Sequence, residues 1–179
     1  MIKTAVIYKS RYGTTKRYAQ WLADALNADI FDAADISTLQ LNNYDILIYG
    51  GSLYAGSIAG LKSVSKNIGE NFNKTLVVFT VGLADPSITD YSPILQKAFT
   101  SKQLEKTKIF HLRGGINYKK LSFLHKIMMS FKKREAEKLP PDQRTSDDIG
   151  VLETYGKEVD FTSKAAIEPL LEFVRALYT

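Results

Sequence analysis

Residues Tyr8-Lys9-Ser10-Arg11-Tyr12-Gly13-Thr14-Thr15 join an apolar run, Thr4 to Tyr8, to a helical pattern that starts near Lys16. A strand that ends in a hydroxyl-rich loop with one glycine and turns directly into a helix aims backbone N–H groups and hydroxyls at one point, at the positive end of the helix dipole. That chemistry suits an anion. No lysine stands in the Walker position, so the loop does not read as a nucleoside-triphosphate site. A lone Gly13 falls short of the three-glycine dinucleotide fingerprint. One phosphate monoester is the ligand group expected here, held by the hydroxyls of Ser10, Thr14 and Thr15 with several backbone N–H donors. A second stretch, Gly50-Gly51-Ser52-Leu53-Tyr54-Ala55-Gly56-Ser57, reads as a small-residue loop with one aromatic ring. It fits a flat aromatic ligand stacked on Tyr54, or else an exposed loop tyrosine.

The elements that must position these loops follow from periodicity. Tyr18, Trp21, Leu22, Ala25 and Leu26 recur at helical spacing, with Thr14 or Thr15 as the expected cap. Trp21 lies on the core face. Short apolar runs at 3–9, 30–32, 44–50, 74–81 and 108–115 read as strands, several of them buried on both faces. Helical patterns lie between them at about 16–26, 59–73 and 91–100. Alternating strands and helices predict an α/β fold, an open parallel sheet with helices on both faces. Such sheets bind ligands outside the carboxyl ends of the strands. Four stretches then converge: 10–15, 51–57, 82–90 with Gly82 and Leu83, and the chain after Gly115. Asp85 and Asp90 read as turn residues, and the isolated His111 and His125 are given no role.

Composition bounds the rest. The 179 residues, 45% hydrophobic and 24% charged, suit one globular domain. Cysteine is absent, which excludes disulfides and thiolate chemistry. No run of 18 apolar residues occurs, and Met1-Ile2-Lys3 leads directly into a strand, so a cytoplasmic protein is expected. Arg113 to Arg134 contains seven basic residues and no acid, while the rest of the chain carries 17 basic against 19 acidic side chains. The basicity is therefore local. Residues 118–138 read as a helix whose Leu121, Leu124, Ile127, Met128 and Phe131 form one stripe among lysines, ended by Leu139-Pro140-Pro141. Residues 142–150 read as loop, and a last helix as 164–178 with Pro169 in its first turn. The basic helix is either a solvated face or a surface for anionic lipid headgroups or for the carboxylates of an acidic substrate. Nucleic acid is not expected, since no aromatic platform or helix-turn-helix pattern accompanies the charge.

Tyr8 to Thr15 resembles the phosphate loop of the flavodoxin family, in which a hydroxyl residue, two variable positions and Gly precede one or two threonines. Tyr44 to Gly56 resembles the strand and loop that touch its isoalloxazine ring, and Gly82-Leu83 stands where the third contacting loop begins. The resemblance implies a five-stranded sheet of order 2-1-3-4-5 and FMN as cofactor. It implies cofactor contacts from Ser10, Arg11, Tyr12, Gly13, Thr14, Thr15, Ser52, Leu53, Tyr54, Ala55, Gly56, Gly82 and Leu83, with no catalytic side chain. Gly114 to Leu121, with the basic helix after it, is similar to the insertion of the bacterial menaquinone-dependent protoporphyrinogen dehydrogenases, here placed at 116–150. That implies a quinone-dependent oxidoreductase with a porphyrinogen donor, a quinone or redox-protein acceptor, and peripheral membrane contact through 118–134. An electron-carrier flavodoxin serving protein partners is the alternative.

Overall fold

The computed structural model describes residues 2–54, 56–62, 64 and 74–178. Its main sheet is parallel, in the order β2-β1-β3-β5-β6, formed by β1 (Thr4–Lys9), β2 (Asp29–Asp32), β3 (Ile46–Tyr54), β5 (Thr75–Gly82) and β6 (Thr107–Arg113). This is the flavodoxin-like order 2-1-3-4-5 once the short β4 (Ser57–Ile58), antiparallel to β3, is set aside.

The strands are apolar on both faces because both faces are covered. Val6, Ile48, Val77 and Phe79 pack under α1 (Thr14–Leu26) and α7 (Glu168–Ala176), against Tyr18, Leu22, Leu170 and Val174. The alternate residues Ala5, Ile7, Leu47, Tyr49 and Val78 build a second core with Leu41, Ile58, Leu61 and Val64. Trp21 packs against the first of these cores. Pro169 stands in the first turn of α7, as its missing N–H requires. Of the helix expected over 59–73, Leu61 and Val64 are buried, and most of the remainder, including Ile68 and Phe72, lies outside the described residues.

Several boundaries differ from expectation, each for a local reason. β3 does not stop at Gly50 but runs on to Tyr54 and turns back into β4. A Cβ on Gly50 would sit 2.1 Å from Phe79 Cζ, and one on Gly51 2.4 Å from Ile58 Cγ2. These glycines make room for core side chains inside the strand and do not open a loop. The helix expected at 91–100 is α3 (Ser92–Ala98), and a further helix, α4 (Ser101–Lys106), follows it, started by a reciprocal Thr100–Gln103 cap. A short α2 (Thr38–Leu41) begins with a similar cap at Ser37.

The chain between β6 and α7 carries more structure than its composition suggests. β7 (Gly115–Asn117) pairs antiparallel with β8 (Glu158–Asp160), closing an excursion. Within it lie a 3-10 turn (Tyr118–Lys120), α5 (Phe123–Lys138) and α6 (Ser146–Thr154). The predicted helix at 118–138 thus starts at Phe123, capped by Ser122. The polar stretch 142–150, expected as loop, is largely α6, whose Thr145 and Asp148 cap each other reciprocally.

Candidate functional site

All five strands of the parallel sheet end on one edge, where residues 10–13, the β3–β4 turn, the chain after Gly82 and the chain after Arg113 meet. Gly13 caps α1 at φ 95°, a left-handed conformation that costs a side-chain-bearing residue about 1–2 kcal/mol. The expectation that Thr14 or Thr15 caps α1 is therefore corrected: both are inside the helix, and no side chain caps it. Its first N–H groups have no intrahelical partner.

Thr15 is fully buried and its Oγ1 has no hydrogen-bond partner among the described residues. Leaving such a hydroxyl unsatisfied costs about 1–3 kcal/mol. Ser10 Oγ accepts from Gly13 N at 3.1 Å, which leaves its own proton free to donate. Helix α1 has no acid in its first turn. Arg17, also in that turn, is held by Asp160 at 2.5 Å and by Thr162 at 2.8 Å.

Gly114 belongs with this loop, although its sequence gave no sign of it. A Cβ there would lie 2.7 Å from Val81 Cγ1 and 3.4 Å from Thr14 Oγ1, and its N–H donates to Gly82 O at 2.6 Å. The ends of β5 and β6 are thereby drawn against the start of α1. Tyr18, whose hydroxyl donates to Arg113 O at 2.8 Å and accepts from Ser163 N at 3.1 Å, ties α1 to the end of β6 and to the chain that leads into the last helix.

In the second stretch Ser52, Leu53 and Tyr54 are strand residues rather than loop residues. Gly56, at φ 69°, makes the tight turn, and Ala55 lies outside the described residues. Leu53 reaches to Gly82, where a Cβ would meet its Cδ1 at 3.0 Å. Tyr54 is 38% exposed, with the Arg11 guanidinium 5.9 Å from its ring centre. Leu83 presents its carbonyl to Arg113 Nε at 3.0 Å, and Arg113 also pairs with Glu153 and lies over the Phe161 ring at 3.8 Å. Asp85 and Asp90 accept from Ser87 N and Ser92 N, each at 2.9 Å, as turn residues do.

The two histidines have definite surroundings. His111 stacks on Tyr91 with ring centres 3.5 Å apart and bonds Thr80 Oγ1 through Nδ1 at 2.7 Å. Burial pulls its pKa down to about 4. His125, on α5, is buried against Tyr12 and Tyr54. Burial, and then the charge of Arg11, hold its pKa below the ordinary value. Nothing near either residue in sequence signals these contacts.

The expected apolar stripe of α5 divides: Leu121 is buried and Met128 half-buried, but Leu124, Ile127 and Phe131 are exposed, together with Phe123. The side that faces the protein carries His125 and Ala136. Among the described residues no group of three or more His, Asp and Glu could hold a metal ion, and no helix is long and apolar enough to cross a membrane.

Residues 5–142 match the family described as flavodoxin domain. The chain belongs to the flavodoxin-domain family. A relative of this flavodoxin domain is an uncharacterized protein of Methanocaldococcus jannaschii, 29% identical over an alignment of 139 residues, which covers 65% of this chain and 85% of that one. Among solved structures it is similar to a flavodoxin from the domain Archaea, 18% identical with a TM-score of 0.46, over 63% of this chain and 83% of the other. It is also similar to a flavoprotein from Lactobacillus acidophilus in complex with FMN, 16% identical with a TM-score of 0.43, over 63% and 93%.

Proposed function

We propose that this flavodoxin-domain protein binds FMN and is an oxidoreductase of the quinone-dependent protoporphyrinogen dehydrogenase type. The observation that carries the cofactor reading is Thr15: a fully buried hydroxyl without a partner, at a helix start whose N–H groups no side chain caps. A phosphate monoester would satisfy the hydroxyl and the free N–H groups together. Ser10 and Thr14 supply further hydroxyls, and Gly13 provides the left-handed turn that brings them round. Tyr54 and Tyr12 offer rings to a flat ligand, and Ser52, Leu53, Gly82 and Leu83 line the adjoining edge.

When bound, the flavin supplies the electron transfer between an organic donor and a quinone. The chain's own residues then bind, orient and shield, and no side chain needs to act as a catalytic acid or base. Support for the finer reading comes from α5, which brings a basic, partly apolar helix to the same loops. Arg11, Lys119 and Lys120 would attract the carboxylates of a porphyrinogen. The outward Phe123, Leu124, Ile127 and Phe131, with exposed Lys119, Lys120 and Lys132 nearby, suit the interface of an anionic bilayer, where a quinone acceptor resides.

Protein mixed with excess FMN and passed through gel filtration should stay yellow; retention of no flavin refutes the cofactor reading. Anaerobic reduction by protoporphyrinogen and reoxidation by a menaquinone analogue would bear out the enzyme, whereas reduction only through a reductase protein would make it an electron carrier. Sedimentation with anionic vesicles should be lost when Lys119, Lys120 and Lys132 become Glu. Lys133 is left in place, since it pairs with Glu137 at 3.0 Å and lies over the Tyr155 ring. Binding that ignores the three changes would return α5 to a solvated face.

A further inference from the structure

Helix α5 shows Phe123, Leu124 and Phe131 to solvent at 79, 63 and 61% exposure, yet buries His125 to 4%. A buried imidazole loses hydration, so its partners must repay it. Those partners come from two different loops of the site. The Tyr12 hydroxyl is hydrogen-bonded to His125 Nδ1, with ring centres 5.6 Å apart at 67°. The Tyr54 ring lies 5.0 Å from the imidazole at 55°. Each tyrosine also holds α5 at a second point. Ser122 N, at the cap, donates to Tyr12 Oη at 3.5 Å, and Tyr54 Oη donates to Met128 Sδ at 3.0 Å.

Tyr12 Oη accepts from Ser122 N and shares one proton with His125 Nδ1. Burial first, and then the Arg11 guanidinium, which lies 5.9 Å from the centre of the Tyr54 ring, disfavour a second proton on the imidazole. The imidazole bridges the space between the two tyrosines.

We propose that His125 is a positioning residue: it latches α5 onto the phosphate loop through Tyr12 and onto the β3–β4 hairpin through Tyr54, and so governs entry and exit of the flavin. The latch rests on the flavin reading for its role, but its closure can be measured without any flavin. Tyr12 and Tyr54 stand on the loops that would take the phosphate and the ring, so both halves of the ligand meet a wall held by one side chain. Opening the latch frees the N-terminal half of α5, where Ser122, His125 and Met128 are successive points along one face; the C-terminal half stays held by Arg144, whose Nε donates to the Ala136 and Leu139 carbonyls, and by Lys133 over the Tyr155 ring.

The test compares the full-length protein with His125→Ala, His125→Asn and Tyr12→Phe. In flavin-free protein, amide hydrogen exchange across residues 123–130 should accelerate about fivefold or more in His125→Ala and Tyr12→Phe, since each loses at least one ordinary net hydrogen bond. Amides of β1, β3 and β5 should keep their rates. FMN association and dissociation, followed by stopped-flow fluorescence, should both quicken by a similar factor while the affinity changes little. In His125→Asn, the side-chain carbonyl can accept from Tyr12 and should restore part of the effect. Unchanged exchange in α5 overturns the latch, as does faster exchange with unaltered flavin rates. Tyr12→Phe removes only one hydroxyl and keeps the test open should His125→Ala fail to fold. If wild-type protein takes up no FMN, the cofactor reading fails by itself, and the exchange data alone then support or overturn the latch.

Discussion

Replacing Thr15 with Val tests the phosphate site because its two effects should have opposite signs. The side chains are nearly the same shape and have similar helix propensity, so the change removes little but the hydroxyl. In the free protein that hydroxyl is fully buried without a partner among the described residues. Its removal should relieve about 1–3 kcal/mol of unpaid desolvation, raising Tm by about 2–4 °C per kcal/mol for a chain of this size. With FMN present the same hydroxyl would donate to a charged oxygen, a bond worth about 1.5–3 kcal/mol. FMN affinity should therefore fall by about 10- to 150-fold. Urea titration of the flavin-free protein and fluorescence titration with FMN read the two effects. Riboflavin, which has the ring and no phosphate, is the control, and its affinity should not respond to Thr15→Val. A variant that is less stable and binds FMN as wild type does would refute the reasoning. Equal weakening of FMN and riboflavin would show that Thr15 acts on something other than the phosphate.

Two further outcomes follow from buried geometry. Gly50→Ala would place a Cβ 2.1 Å from Phe79 Cζ in the centre of the sheet; urea denaturation should show a loss of about 1–3 kcal/mol or more from overpacking. Phe79→Leu in the same chain should recover part of it, and a loss below about 0.5 kcal/mol would mean that β3 shifts freely there. His111, with its pKa pulled down to about 4 by burial, should show imidazole proton shifts in NMR that titrate near that pH. Because the folded protein resists a proton that the unfolded chain accepts from about pH 6.5, its stabilising contribution is full above that pH and is lost as pH falls toward 4. An imidazole that titrates near 6.5 would place His111 in water rather than under Tyr91.

The sheet was legible because its strands are buried on both faces and read as unbroken apolar runs. The same rule hid the end of β3. Gly50-Gly51-Ser52 looks like a break in such a run, whereas the glycines are small because Phe79 and Ile58 press on them from neighbouring strands. Contacts of that kind are not encoded within five residues on either side. β7 and β8 are three residues each, too short to show an alternation, and they pair across some forty positions. α6 did leave a mark, since Thr145 followed by Asp148 is a capping box, but the polar residues around it pointed to loop.

At the site, the hydroxyl-rich loop between β1 and α1 was legible in the sequence, but the capping role read for its threonines was not the one they have. A threonine used as an N-cap would spend its hydroxyl on its own helix. With Gly13 in the left-handed cap position, neither Thr14 nor Thr15 is used that way, and the N–H groups and hydroxyls of the first turn remain for a ligand. Periodicity likewise found a stripe on α5 but could not give its direction. An apolar stripe normally faces the core, and here the helix is instead held by His125, whose partner Tyr12 is 113 residues away, and by the buried Ala136, whose carbonyl accepts from Arg144 Nε. A helix docked through a histidine, with its phenylalanines outward, would be a poor solution if its only task were to cover the domain. Burial of the exposed Phe123, Leu124, Ile127 and Phe131 would contribute several times more than one hydrogen bond to a tyrosine, at about 1.5–3 kcal/mol for each large side chain. The chain forgoes that gain within its own fold, and the proposed docking of this face on a bilayer would recover it.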